Sequence, residues 1–328
     1  PSLDGANRAR TPANASIELL PLCNMNCDMC YVRLSRREME AQGRLRTAEE
    51  WLEVGRQMKE AGVLFLLLTG GEPFLYPEFR KVYLGLRQMG MILTINTNGT
   101  LIDEDLAAFF GKYKPRRVNI TLYGADDGAY GRLCHYPGGY AKTLRGIRLL
   151  REQGVDVKVG GSLTPANQKD LDRLLDLEQE LGVPVRVDTY MLPAVRERSL
   201  PYDPRSRLEP EAAAEARIHA LKREMGPELF PQYVLQAVEQ ADRPEQGKEA
   251  PVQMACMAGR CSFTINWQGE MRPCVILNKP AFSVFELGFE EAWKRMVEET
   301  GKIRLNSKCS VCRARHLCRT CAASALLE

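Results

Sequence analysis

The stretch Ser16-Ile17-Glu18-Leu19-Leu20-Pro21-Leu22-Cys23-Asn24-Met25-Asn26-Cys27-Asp28-Met29-Cys30-Tyr31 joins an apolar, strand-like run to three cysteines spaced Cys23-x3-Cys27-x2-Cys30. With 11 Cys in 328 residues, a given position is Cys with a chance of about 0.03, so two specified partners after a given Cys arise by chance about once in a thousand. Three ligands, rather than four, is the informative number. A structural zinc site closes its shell with four protein ligands. Three thiolates on a four-iron cluster leave one iron open to a substrate or cofactor. A zinc site completed by a distant residue is the competing reading.

Outward from this stretch, the chain alternates strands and helices. Strands are predicted at Ser16–Leu20, Leu64–Thr69, Met91–Asn96, Val118–Leu122, Val155–Leu163 and Val185–Tyr190. Helices are predicted between them at Thr47–Ala61, Pro77–Met89, Ile102–Phe110, Ala141–Gln153 and Lys169–Leu181. Thr47 with Glu50 makes a capping box, and Gly62, Gly90, Gly154 and Gly182 each follow a helix as C-terminal caps. Repeated βα units with short connections imply a parallel sheet covered by helices, and six repeats fit a partial barrel better than a closed eightfold one. The chain divides into an arm (1–15), this α/β body (16–195), a bridging segment with an Ala/Glu-rich helix from Pro210 (196–250) and a Cys-rich piece (251–328). The last piece carries a hairpin, Thr264–Trp267 with Glu270–Pro273, and a helix at Phe289–Val297. It is short for a core of its own, so metal centres are expected to hold it together.

Composition narrows the class. The chain is 45% hydrophobic and 27% charged, an ordinary globular balance that excludes a disordered or low-complexity role. Lys+Arg 45 against Asp+Glu 42 is too even to point to nucleic acid or an anionic membrane as partner. The longest apolar run, Val63 to Leu68, is far short of a membrane span, and no charged-then-apolar leader opens the sequence, so a cytoplasmic protein is expected. The cysteines cluster at the two ends, with Cys134 alone between, which disfavours a secreted disulfide framework.

Two motifs now carry a resemblance. Tyr31 follows the third Cys, and Leu68-Thr69-Gly70-Gly71-Glu72-Pro73 ends the second strand. Residues 15–195 thereby resemble the radical S-adenosylmethionine (SAM) superfamily. The resemblance implies a partial (β/α)6 barrel and a [4Fe–4S] cluster on Cys23, Cys27 and Cys30. SAM would chelate the open iron, with Gly70, Gly71 and Glu72 at its ammonium group. Tyr31 would flank the adenine, unless it is a plain core aromatic. Asn98 and Ser162 stand at strand ends, where barrel sites are built. Thr121, in Thr121-Leu122-Tyr123-Gly124, would touch the SAM carboxylate or ribose; Thr stands here for the family's Ser and Tyr123 for its Asp. The implied chemistry is reductive cleavage of SAM to a 5′-deoxyadenosyl radical that abstracts hydrogen from substrate. It needs a low-potential donor such as flavodoxin or ferredoxin. No catalytic residue beyond these is identified.

The Cys-rich piece resembles the SPASM extension, which carries two auxiliary four-iron clusters, making three in all. Carried over by position, cluster I would use Cys256, Cys261, Cys274 and Cys321, and cluster II Cys309, Cys312 and Cys318. The family has three residues before the fourth Cys of the run, where this chain has Arg319 and Thr320. The family's last Cys has no counterpart, so cluster II has an open iron, a non-Cys ligand such as His316, or a ligand beyond Glu328. A zinc ribbon is the competing reading of the two Cys-x2-Cys pairs. Cys134, beside His135, is read as a core thiol, a redox group near substrate or an incidental residue.

The function implied is modification of a ribosomally made peptide: cross-linking, thioether formation or residue oxidation. A small-molecule cofactor enzyme, acting for example on a tetrapyrrole, is the alternative; a non-catalytic metal-binding module is a third. Val275 follows Cys274 where sulfatase-activating members carry Asp, which disfavours formylglycine formation. Residues 1–15 leave no room for a winged-helix leader-binding domain, so a peptide would need a separate recognition protein or direct docking in the barrel.

Overall fold

The computed structural model describes residues 3–191, 206–242, 256–305, 307–309, 312, 321 and 323. In chain order the elements run α1 (Leu3–Ala9), β1 (Asn14–Glu18), α2 (Arg36–Gln42), α3 (Ala48–Glu60), β2 (Phe65–Thr69), α4 (Phe79–Gln88), β3 (Ile92–Thr97), α5 (Glu104–Lys112) and β4 (Arg117–Leu122). Then come α6 (Asp127–Cys134), α7 (Gly139–Glu152), β5 (Val157–Ser162), α8 (Leu171–Leu181), β6 (Val185–Asp188) and α9 (Pro210–Ala241), broken at Gly226. Last are β7 (Ser262–Ile265), β8 (Glu270–Arg272), β9 (Phe282–Ser283), α10 (Val284–Leu287) and α11 (Phe289–Lys302). None of the described helices is long and apolar enough to cross a membrane.

The strands form one sheet in the order β6-β5-β4-β3-β2-β1-β7-β8-β9. From β6 to β7 every neighbour is parallel; β7–β8 and β8–β9 are antiparallel. β6 and β9 are opposite edges, so the barrel is open. Successive strand residues point to opposite faces, and the two faces differ in chemistry. Leu93, Ile95, Val118, Ile120 and Leu122 are buried against the helices. The alternate residues Thr94, Asn96, Asn119 and Thr121 are only half-buried and face the barrel interior. Asn119 donates to Asn96 Oδ1 at 2.8 Å across this inner face. A polar concave face over an apolar convex one is what a ligand cavity requires.

The expected capping box closes α3: Thr47 accepts from Glu50 N and Glu50 from Thr47 N. The four expected cap glycines all take positive φ. Four of the described helices, α1, α2, α6 and α10, were not expected from the sequence. α2 buries a single apolar residue, Met39, and is set by a Ser35/Glu38 capping box. α6 contains Gly128 and Gly131, which obscure its periodicity, and is capped by Asp126. Cys134 therefore ends a helix.

The largest departure concerns the C-terminal piece. β7 pairs parallel with β1, Asn14 opposite Ser262 and Ile17 opposite Ile265, with a buried 2.7 Å bond between the Ser16 and Thr264 hydroxyls. Phe263, Ile265, Met271, Phe289, Trp293 and Met296 belong to the barrel's own apolar core. The hairpin and α11 thus pack on the barrel core itself. A separate small cluster, Ala258, Leu277, Leu305 and Ala323, has Cys274, Cys309 and Cys321 packed against it.

Candidate active site

A cavity of about 280 Å³ opens at the C-terminal ends of β2 to β5. Cys23, Cys27, Cys30, Tyr31, Gly70, Gly71, Asn98, Thr121 and Ser162 all line it, gathered from separate parts of the sequence. Sequence reasoning did not single out Met25, Met29, Asn96 and Met191, which also line it, as does Tyr123. Glu72 lies fully buried behind this wall.

The cysteine loop is tied down on two sides. Asn26 N donates to Cys134 O at 2.9 Å and Asp28 N to Leu133 O at 3.0 Å, docking the loop on the end of α6. The Asp28 carboxylate meets His135 Nε2 at 2.8 Å. Opposite, Asn24 Nδ2 donates to Thr100 Oγ1 at 2.8 Å and Asn98 Nδ2 to Asn24 Oδ1 at 2.9 Å. Donors also converge on the sulfurs. Met25 N lies 3.4 Å from Cys23 Sγ, Asn98 Nδ2 3.7 Å from Cys23 Sγ, and Arg33 N 3.3 Å from Cys30 Sγ. Burial pushes the Cys23 thiol up to about 12, with the Met25 N–H opposing. The hydrogen bond with Cys134, and then burial, hold the Cys27 thiol well above its ordinary value.

Buried thiols of this kind ionise when a cation takes the proton's place, and metal binding then releases protons. Three thiols on one cavity, with N–H donors already aimed at sulfur, suit an iron–sulfur cluster. No trio of His, Cys, Asp or Glu among the described residues closes on a single metal ion.

The glycine pair is required by close backbone approach. Gly71 N donates to Leu20 O at 2.7 Å and Glu72 N to Leu22 O at 2.9 Å. A Cβ on Gly71 would lie 2.2 Å from Leu22 O. Gly71→Ala should therefore destabilise the fold by about 1–3 kcal/mol, the range for overpacking. Urea denaturation would show a lower midpoint with an unchanged slope.

Glu72 anchors the far side of this corner. Its carboxylate accepts from Thr97 Oγ1 at 2.8 and 2.9 Å, from Asn98 N at 2.9 Å and from Phe74 N at 3.2 Å. Burial pushes its carboxyl up to about 7, with the Asn98 N–H, the Thr97 hydroxyl and the Phe74 N–H opposing.

Residues 17–178, which hold this whole cavity except Met191, match the profile of the Radical SAM superfamily. The chain belongs to the radical SAM superfamily. Its cofactors are SAM and a [4Fe–4S] cluster, and the match takes in the three cysteines and the glycine corner. This radical SAM protein is 25% identical to the AdoMet-dependent heme synthase of Methanosarcina barkeri, over 94% of its own length and 90% of that protein's. It is 28% identical to the PqqA peptide cyclase of Streptomyces rochei, over 94% and 81%. Its fold is that of Streptococcus suis SuiB bound to the precursor peptide SuiA, with a TM-score of 0.70 at 19% identity, covering 99% of this chain and 75% of SuiB.

The radical SAM protein gathers part of its second cysteine group. Burial raises the Cys274 thiol, and Cys321 and Cys256 add like charge beside it, so these three are neighbours. Leu277 N donates to Cys274 Sγ at 3.2 Å. Cys261 is fully buried at the head of β7, where its carbonyl accepts from Ala13 N and Asn14 N. Its thiol responds to burial and then to Asp4 of α1, not to the other three cysteines. Cys309 packs on the same apolar cluster as Cys274 and Cys321, and Cys312 is exposed. Cys318 and His316 lie outside the described residues.

Proposed function

We propose that this radical SAM enzyme matures a ribosomally made peptide. The observation that carries the reading is the cavity itself. Three cysteines, a glycine corner and the polar inner face of an open parallel sheet meet at one strand-end mouth. An unclosed barrel leaves that mouth accessible to an extended chain. The likeness to a peptide cyclase over most of both chains supports a peptide substrate. A small-molecule reading is supported by the equally long likeness to a heme synthase.

When bound, the cluster and SAM supply one-electron chemistry that yields a 5′-deoxyadenosyl radical able to take hydrogen from substrate. The chain's own residues position and shield. Cys23, Cys27 and Cys30 would hold the cluster. Gly70 and Gly71 bring backbone close to the SAM ammonium, and Glu72 supplies negative charge behind them. Thr121 and Ser162 offer hydroxyls to the carboxylate or ribose, and Asn98 carries an amide at the same wall. Tyr31, Met25 and Met29 supply apolar surface for the adenine and exclude water.

Cys256, Cys274 and Cys321 are proposed as the core of auxiliary cluster I, with Cys261 as fourth ligand, and Cys309, Cys312 and Cys318 as ligands of cluster II. With three thiolates, cluster II is assigned to electron relay, not to substrate ligation. A flavodoxin or ferredoxin is the proposed electron donor, a separate protein the proposed leader reader, and the cytoplasm the proposed compartment. Anaerobically reconstituted protein should hold about twelve irons per chain, fewer if cluster II is incomplete. Incubation with candidate precursor peptides should give a product lighter by two hydrogens for each bond formed or residue oxidised. Turnover of a tetrapyrrole with no peptide product would move the assignment to cofactor biosynthesis. Stoichiometric zinc without iron-dependent absorbance would defeat both.

A further inference from the structure

We propose that Tyr123, seconded by Cys134, sets the reduction potential of the cluster held by Cys23, Cys27 and Cys30, by hydrogen-bonding the Cys27 sulfur. The inference rests on the cluster assignment above and concerns residues that the ligand motif does not contain.

Tyr123 follows β4 and lines the cavity with all three cysteines. Its hydroxyl and the Cys134 side chain are the two side chains near enough to Cys27 to act on its thiol, in opposite directions. The tyrosine is fixed by its surroundings. Its N–H donates to Tyr130 Oη at 3.4 Å, and its carbonyl accepts from Asn167 Nδ2 at 2.8 Å. Its ring stands edge-on to Tyr130 at 6.0 Å between centroids. Asn167 is fully buried and also holds Ser162 O at 3.0 Å, tying the end of β5 to the same clamp. Cys134 is equally fixed: fully buried, at the end of α6, its carbonyl bonded to Asn26 N of the cysteine loop.

Once Cys27 binds iron as a thiolate, it can only accept. The phenol O–H and the Cys134 S–H are then the donors. Adding an electron increases the negative charge shared by the sulfurs, so fixed donors favour the reduced form and raise the potential. The contacts from Met25 to Cys23 and from Arg33 to Cys30 are backbone N–H groups, which side-chain substitution leaves in place. Asn98 Nδ2 reaches Cys23, not Cys27, so at Cys27 the donors that a side-chain change can remove are Tyr123 and Cys134.

Tyr123→Phe keeps the ring and its edge-on contact and removes only the hydroxyl. An EPR-monitored redox titration of the reconstituted enzyme should show the reduced-to-oxidised ratio at fixed poise falling about tenfold, equivalent to a midpoint ~59 mV lower for one electron. Iron content should be unchanged. The signal is assigned to this cluster by its change on adding SAM. A wild-type signal that SAM does not alter would sink the cluster assignment itself, separately from the inference. An unchanged midpoint in the Phe variant overturns the inference. Should that variant fail to hold iron, Cys134→Ala and Cys134→Ser decide. A lowered midpoint in the first with a near wild-type one in the second supports the inference, and equal midpoints in both overturn it.

Discussion

Replacing Cys23, Cys27 and Cys30 together by Ala removes one four-iron cluster and brings SAM cleavage to background, while iron bound by the C-terminal cysteines remains. The triple change is needed for a structural reason. Cys134 lies in hydrogen-bonding contact with Cys27, so a thiol is already in place where a single substitution would leave a vacancy. The loop itself should survive. Its main-chain bonds to Leu133 and Cys134, and the Asp28–His135 contact, do not involve the sulfurs. Iron analysis together with chromatography of 5′-deoxyadenosine checks both halves. Full iron retention in the triple variant would reassign the loop to a structural role.

The second large effect is on SAM affinity, through Glu72. An ordinary glutamate ionises near 4.5, and here burial raises that to about 7. A carboxyl raised in this way is still protonated in the fold when the unfolded chain has released its proton. Stability is therefore lost as pH rises from about 4.5 through about 7, and the loss levels off above that. A SAM ammonium group at the Gly70–Gly71 corner favours the carboxylate, so binding expels the proton. SAM affinity should rise about tenfold between pH 6 and pH 8. Glu72→Gln keeps an oxygen for Asn98 N and Thr97 Oγ1 but cannot ionise. It should flatten that profile and weaken SAM binding roughly ten- to a hundredfold at pH 8, for a charge-assisted contact of about 1.5–3 kcal/mol. Equilibrium dialysis at the two pH values gives the answer. A Gln variant with wild-type affinity and slope would leave Glu72 as a brace for the Thr97–Asn98 turn.

The α/β body was legible because its strands and helices announce themselves locally, through apolar alternation, capping boxes and terminal glycines. The junction of β7 with β1 was not. Ser16 and Thr264 meet across 248 positions, and parallel pairing over that distance leaves no trace in either segment. The cavity was legible in its lining: the three cysteines and the glycine pair named from the sequence meet on one wall, and the glycines stand where backbone approaches closely. Tyr123 and Cys134 were visible only as a departure from a pattern and a leftover thiol. The end of β4 brings Tyr123, and the end of α6 brings Cys134, to Cys27, and Gly128 and Gly131 hid that helix from sequence periodicity. Glu72 was named for its charge, but its burial behind the cavity wall depends on the β3 turn that closes over it.

β1 has a cysteine group at each end. Cys23 follows its C-terminal end, and at its N-terminal end Ala13 and Asn14 hold the carbonyl of Cys261. β8 runs back along β7, so Cys274 also falls at that second end. A strand rises ~3.3 Å per residue and hardly stretches. β1 therefore acts as a ruler between the two groups of thiols, graduated in whole residues. Any electron that passes between them crosses a gap set by five residues of rigid, hydrogen-bonded backbone. Inserting or deleting one residue in β1 would change that gap by a fixed step and would also turn the strand's faces over. The length of this strand thus sets the separation of its two ends as well as their packing.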